Sequence, residues 1–395
     1  MDDRMLSTDE VARRLGVKRA TVYAYVSRGL LTGRRNANGK ESLFAEADVR
    51  AFEATRSRGG PERTDSPAVH TGLTLITSDN LFYRGYDVGA LARRESYEAV
   101  AGLLWTGELR ETPFPPDATL RTLAESVTAP LPATARLTDR LRIIVAAAGA
   151  ADRLRFDTTP AAVTATGRTI LGTMITALPQ LSTPVDDSLA GLLWSRLTVR
   201  PPTPDGVHAL NAAMVLLADH DLAASTFAAR VAASTRAHPY AVVGAGLAAM
   251  DGPLHGAASG LAVEMLAAAV RGGDPLGTVS DRLRTGGGVP GFGHPLYPHG
   301  DPRATVLLGL LATPSPVTDA VAAVADAMRT RAGTAPNIDL ALAAFTMLHD
   351  MPAEAGEAIF AIARTAGWIA HAIEEYADQP SRFRPSGRYA GLPPL

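Results

Sequence analysis

Arg364-Thr365-Ala366-Gly367-Trp368-Ile369-Ala370-His371 sits inside residues 353–376, an alanine-rich apolar stretch that reads as one long helix. Working outward, residues 96–105, 135–150, 209–218, 223–234, 261–270 and 317–332 carry the same helical patterning. Proline and glycine punctuate them, at Pro113, Pro115, Pro116, Pro201-Pro202 and Gly286-Gly287-Gly288. Only 73–77 and 81–83 have strand character. Aromatics are 6% of the chain while alanine is abundant, which favours close-packed helices over sheets. No tandem repeat is visible. The expectation is an all-α body.

The length of 395 residues suits two or three domains, and 46% apolar residues leave ample core to bury. With no cysteine, thiol nucleophiles, thiolate metal sites, iron–sulfur ligation and disulfides are excluded. The start, Met1-Asp2-Asp3-Arg4, shows no secretory h-region, and no apolar run reaches the roughly 18–20 residues a membrane helix needs. A cytoplasmic protein without a membrane partner is expected. The 38 Lys+Arg and 40 Asp+Glu nearly cancel, for a net charge of −2. The cancellation is uneven. Residues 1–60 hold 12 basic and 8 acidic side chains, about +4; the remaining 26 against 32 give −6.

That basic segment has its own pattern. Ser7-Thr8-Asp9-Glu10 is a capping-box signature, with Val11, Leu15 and Val17 as apolar positions. Gly16 ends the first helix, and a second over 18–28 stops at Gly29. Val22 and Val26 are spaced to face inward, leaving Lys18, Arg19, Thr21, Tyr23 and Arg28 for phosphates and base edges. Arg34-Arg35-Asn36-Ala37-Asn38-Gly39-Lys40 reads as a basic wing around an Asn-Gly turn. Phe44 and a helix over 46–52 close a small core. Residues 5–54 resemble the MerR/excisionase-type winged helix-turn-helix, which implies DNA as a partner. A helical appendage without DNA binding is the competing reading. The Gly/Pro/polar run 56–67 is the linker, so residues 1–55 form the small domain.

Histidines carry the functional signal in the body. His220 lies between Asp219 and Asp221. His255 sits in Gly252-Pro253-Leu254-His255-Gly256, and His294 in Gly291-Phe292-Gly293-His294-Pro295. Glycines beside a histidine let backbone approach a ligand closely. Asp339 is a lone acid in Ala335-Pro336-Asn337-Ile338-Asp339-Leu340. Any one of these is ordinarily structural; four in one chain weigh considerably against that reading. With Tyr83-Arg84-Gly85-Tyr86, Leu103-Leu104-Trp105-Thr106-Gly107-Glu108-Leu109, Asp301-Pro302-Arg303-Ala304 and Arg384-Pro385, they make residues 73–391 resemble the citrate synthase family.

The resemblance implies a two-lobed helical body: a large domain of residues 68–255 and 364–395, and a small one of 256–363. It implies condensation of an acyl-CoA with a 2-oxo acid, typically acetyl-CoA with oxaloacetate. Asp339 would take a proton from the thioester's methyl group, His255 would stabilise the enol, and His294 would protonate the ketone. Arg303, Arg364 and Arg384 would bind carboxylates, with His220 as a further oxo-acid contact. The last arginine would enter from a partner subunit, implying a homodimer. No tightly bound cofactor is implied; coenzyme A arrives as a thioester substrate. No metal cluster is evident. His70, His208, His238, His299 and His349 read as structural or surface, and His371 as packing.

Two stretches depart from the family pattern. His255 is followed by Gly256-Ala257-Ala258-Ser259 rather than Gly-Gly-Ala-Asn, and His294 by Pro295-Leu296 rather than Arg-Val. Both put the acyl donor and coenzyme A affinity in question more than the chemistry. A 2-methylcitrate synthase using propionyl-CoA is one alternative. Others are an enzyme acting on another 2-oxo acid, or a DNA-binding regulator whose body senses a metabolite.

Overall fold

The computed structural model describes residues 5–391 apart from 16, 18, 28–30, 32, 36–41, 58–68, 253–254, 257, 285, 287 and 386–390. Lys18, Arg28, Gly16, Gly29, the Asn38-Gly39 turn and most of the linker lie outside the described residues. The chain separates into two units: residues 1–69 with 383–395, and residues 70–382.

In the first unit the capping box forms. The Ser7 N–H donates to Glu10 Oε2 at 2.8 Å, and the Glu10 N–H returns to Ser7 Oγ at 3.3 Å. The helices are Thr8–Leu15, Arg19–Ser27 and Glu46–Ser57. Leu6, Val11, Leu15, Val22, Phe44 and Val49 form the core, with Val26 and Phe52 packed against it. The wing strand Arg34–Arg35 pairs antiparallel with Ser42–Ala45. A third strand, Met5–Ser7, pairs on the other edge of Ser42–Ala45, in the order the sequence reading lacks. Three residues are too few to show alternation. Among the expected DNA-facing residues, Arg19 is exposed and paired with Asp9 at 3.0 Å, whereas Thr21 is half-buried.

The second unit is helical apart from a small antiparallel sheet. There Thr74–Ile76, Leu81–Tyr83 and a short third strand, Tyr86–Asp87, lie in sequence order. Every expected helix is present with shifted ends, for example Tyr97–Thr106, Leu137–Ala151 and Pro316–Ala332. The expected helix 209–218 starts on a proline, as Pro204–Leu217, and so do the further helices Pro160–Thr176, Pro239–Met250 and Pro302–Leu310. Proline is favoured at a helix's first position because its missing N–H would be unbonded there anyway. These prolines open helices rather than separate them.

Ala355–Ala377 is the axis of this unit, buried along most of its length. Its neighbours come very close. A Cβ on Gly246 would lie 2.5 Å from the Trp368 ring, and one on Gly367 would lie 2.6 Å from Ala218 O. The Gly367 N–H bonds that same oxygen at 2.9 Å. Glycine at 367 thus seats the end of Pro204–Leu217, and the turn carrying His220, directly on the axis.

Candidate active site

The site residues come from several separate backbone segments. Asp219-His220 follows helix Pro204–Leu217 and is clamped from several sides. The Tyr83 hydroxyl donates to Asp219 O at 2.9 Å and accepts from the Asp219 N–H at 3.1 Å. Thr74 donates to the Asp219 carboxylate at 2.5 Å. His371 stands behind it: Arg230 donates to His371 Nδ1 at 2.8 Å, which leaves Nε2 as the donor to Asp219 Oδ2 at 3.4 Å. Burial alone would push the Asp219 carboxyl up, but His371, Arg364 and Thr74 hold it below the ordinary range. His371 thus supports the turn that carries His220.

His220 is buried, and its Nε2 is 2.9 Å from the Tyr297 hydroxyl. Burial first, then the charges of Arg303 and Arg364, push it well below the ordinary histidine range, so it is neutral. Its ring centroid is 5.3 Å from that of His294. His294 is neutral too, lowered by burial and by Arg303. The Leu296 N–H donates to His294 Nδ1 at 3.2 Å, so Nε2 keeps the proton and is a donor. That bond comes from backbone and survives the unusual Pro295-Leu296 side chains.

His255 follows the same logic. Ser225 approaches its Nε2 with both the hydroxyl, at 2.8 Å, and the backbone N–H, at 3.4 Å. A backbone N–H can only donate, so Nε2 accepts and Nδ1 carries the proton. Burial, then Arg364, lowers its basicity. Ser225 lies in the first turn of Ala224–Ser234.

Asp339 lies in the first turn of Ile338–Leu348, a helix capped by Asn337, whose side chain accepts from the Asp339 N–H at 3.0 Å. Burial pushes its carboxyl up to about 6, against the pull of Arg303. Asp301 links the two helix starts. It holds Arg303 through Nε at 2.9 Å and Nη2 at 2.8 Å, and accepts from the Ile338 N–H at 3.1 Å. Arg364 differs from Arg303 in having no carboxylate. Nε donates to Leu217 O at 2.8 Å, the guanidinium lies 4.7 Å from the Phe360 ring centroid, and Nη1 and Nη2 are buried without acceptors. A buried guanidinium held this way presents a two-pronged fork to an incoming carboxylate.

The unit 70–382 therefore contains His220, His255, His294, Arg303, Asp339 and Arg364. Arg384 is exposed and belongs to the other unit. Tyr297, Ser225 and Asp301 are the supporting residues that sequence reasoning did not assign. Asp301 belongs to the Asp301-Pro302-Arg303-Ala304 motif and Tyr297 lies three residues after His294, whereas Ser225 is thirty positions from the histidine it serves. Elsewhere, His238 caps Pro239–Met250, His349 packs on Trp194 and Phe345, and His299 pairs with Asp79 on the surface. Among the described residues no group of three His, Asp or Glu is placed to hold a metal ion.

The citrate synthase family model (Citrate synthase, C-terminal domain) matches residues 63–386, most of the chain. The chain belongs to the citrate synthase family. It is 33% identical over 358 residues to citrate synthase from Haloferax volcanii, covering 81% of this chain and 92% of that one. It is 29% identical over 351 residues to 2-methylcitrate synthase 2 from Corynebacterium glutamicum, covering 80% and 89%. The solved citrate synthase from Pyrobaculum aerophilum superposes with a TM-score of 0.70 at 25% identity, covering 84% of this chain and 92% of that one. A ternary complex of the Thermoplasma acidophilum enzyme with carboxymethyl coenzyme A and oxaloacetate shares the fold, with TM-score 0.70 and coverage of 86% and 97%. A helix-turn-helix domain model matches residues 5–57. This is a citrate synthase-family enzyme, mostly helical, with a helix-turn-helix domain at its N-terminus. No helix among the described residues is long and apolar enough to cross a membrane.

Proposed function

We propose that this enzyme condenses an acyl-CoA thioester with oxaloacetate and hydrolyses the product thioester, releasing citrate or its methyl homologue and free coenzyme A. The carrying observation is the pairing of two neutral histidines, each held with an N–H available, with a carboxyl raised to about 6 by burial. The thioester's α-carbon is a very weak acid. A carboxylate can deprotonate it only where the enolate oxygen is met by a preorganised donor. Asp339 is the base in this scheme, and the Nδ1–H of His255 meets the thioester oxygen. The Nε2–H of His294 polarises the ketone and delivers a proton as the C–C bond forms. Neutral imidazoles suit both jobs, because a cation beside Asp339 would weaken it as a base. Arg364 and Arg303 receive the carboxylates of the oxo acid, with His220 beside them. Coenzyme A is a substrate here, not a resident group.

Three further assignments rest on family likeness: closure of a large lobe (68–255, 364–395) on a small one (256–363), a homodimer, and Arg384 as a carboxylate ligand. The test is thiol release from acetyl-CoA and propionyl-CoA against a panel of 2-oxo acids. We expect turnover with oxaloacetate and one or both thioesters. Release with no pair would overturn the enzyme reading. A preference for propionyl-CoA would make the product 2-methylcitrate, a choice that turns on one methyl group.

The helix-turn-helix match supports DNA as a partner of the N-terminal domain. In that reading the domain approaches DNA with the helix Arg19–Ser27 and the strand Arg34–Arg35.

A further inference from the structure

Two arginines among the described residues bury guanidinium nitrogens that have no hydrogen-bond partner. Arg364 faces the oxo-acid site. The other, Arg196, is 7% exposed and lies elsewhere, in the last turn of helix Leu189–Leu197. It lines a separate cavity of about 330 Å3, together with Arg121, Arg140, Glu125, Thr128 and Gln180. Buried arginines are normally matched to carboxylates or carbonyls, because an uncompensated buried cation is costly. Arg196 has no such match, and its Nε is fully buried without an acceptor. Two carbonyls of this region are already bonded. Thr128 O accepts from Arg140 Nη1 at 3.2 Å, and Ser195 O from the N–H groups of Leu181 and Ser182. Glu125 is engaged with Arg121 at 3.5 Å and is half in solvent. Burial, followed by the charge of Arg121, works against the Arg196 cation, and Glu125 offsets only part of that. The cavity thus gathers three guanidiniums against one carboxylate, a net charge of +2. Among the described residues no aromatic side chain lines it.

We infer that this cavity is a second ligand site, for a small phosphate-bearing anion held by Arg196 at its floor and Arg121 and Arg140 at its rim. Three guanidiniums supply more donors than one carboxylate has oxygens to accept, and the net +2 matches a doubly charged phosphate. The absence of aromatic lining argues against stacking of a nucleobase.

The test is a thermal-melt titration of the full chain with inorganic pyrophosphate, with inorganic phosphate and malonate as separate arms. Pyrophosphate should raise the melting temperature saturably in the wild type. The effect should persist in Arg364→Gln, which disables the oxo-acid pocket. It should vanish in Arg196→Gln and weaken by about tenfold in Arg121→Gln, the loss expected for one charge-assisted hydrogen bond. Arg121 is solvent-exposed, so its variant should fold even if the Arg196 variant does not. No shift at any concentration, or a shift that both cavity variants retain, overturns the site. An equal or larger response to malonate overturns the phosphate assignment.

Discussion

Asp339 must be ionised to act as a base, and burial makes ionisation costly. With its carboxyl raised to about 6, kcat/KM should fall by about tenfold per pH unit below that value. A pH–rate profile flat down to pH about 4.5 would remove Asp339 from the role. The same shift has a sign for stability. Between the ordinary aspartate value of 3.8 and about 6, the folded chain holds a proton that the unfolded chain has lost. This group's contribution therefore falls as pH rises through that window, and at neutral pH it is a net cost. Asp339→Asn removes that cost. We expect it to lower thiol release by on the order of 10²–10⁴. Its unfolding free energy at neutral pH should rise by about 1–2 kcal/mol, less than the full shift implies because the carboxyl is only partly shielded. Oxaloacetate binding, read by calorimetry, should stay near wild type. A variant both inactive and less stable would contradict the idea that function here opposes stability.

At the level of elements, the site depends on how tightly Ala355–Ala377 is approached by its neighbours. Gly367→Ala would put a methyl 2.6 Å from Ala218 O and 2.3 Å from Asp219 Oδ1. Backbone must move, and the residues that move carry His220. Overpacking of this kind costs about 1–3 kcal/mol or more. The melting temperature should drop, and KM for oxaloacetate should rise more than kcat falls. An unchanged KM would mean that the turn is not seated by this contact. The motif around Gly367 was legible in the sequence as part of a long helix, but the contact was not, because the residue it meets is about 150 positions away. The same division runs through the site. Ser7 and Glu10 signal their capping box because its partners are three residues apart. Ser225 gave no signal for its bond to His255, and Tyr297 gave none for its bond to His220. Helix Pro302–Leu310, whose first turn holds Arg303, was not among the expected helices either.

For the molecule as a whole, the near-zero net charge is a cancellation between an N-terminal segment of about +4 and a remainder of about −6. Fold and family were legible because the motifs that carry them recur in order along the chain. The use of the basic segment was not, since two short helices and a wing serve DNA binding and simple packing alike. Its charge makes the DNA reading quantitative. A domain binding through a few phosphate contacts should lose affinity steeply with salt, by on the order of tenfold or more between roughly 50 and 200 mM. We expect the full chain to retard duplex DNA with that dependence. A chain lacking residues 1–57 should not retard it at all. Turnover should be close to unchanged in the truncated chain, because every group assigned to the chemistry, from His220 to Arg384, lies outside residues 1–57. Oxaloacetate and acyl-CoA added to the DNA titration then separate two uses of one architecture. If substrates shift DNA affinity, linkage requires DNA to shift substrate affinity by the same factor. If they do not, the two activities share a chain without sharing a free energy.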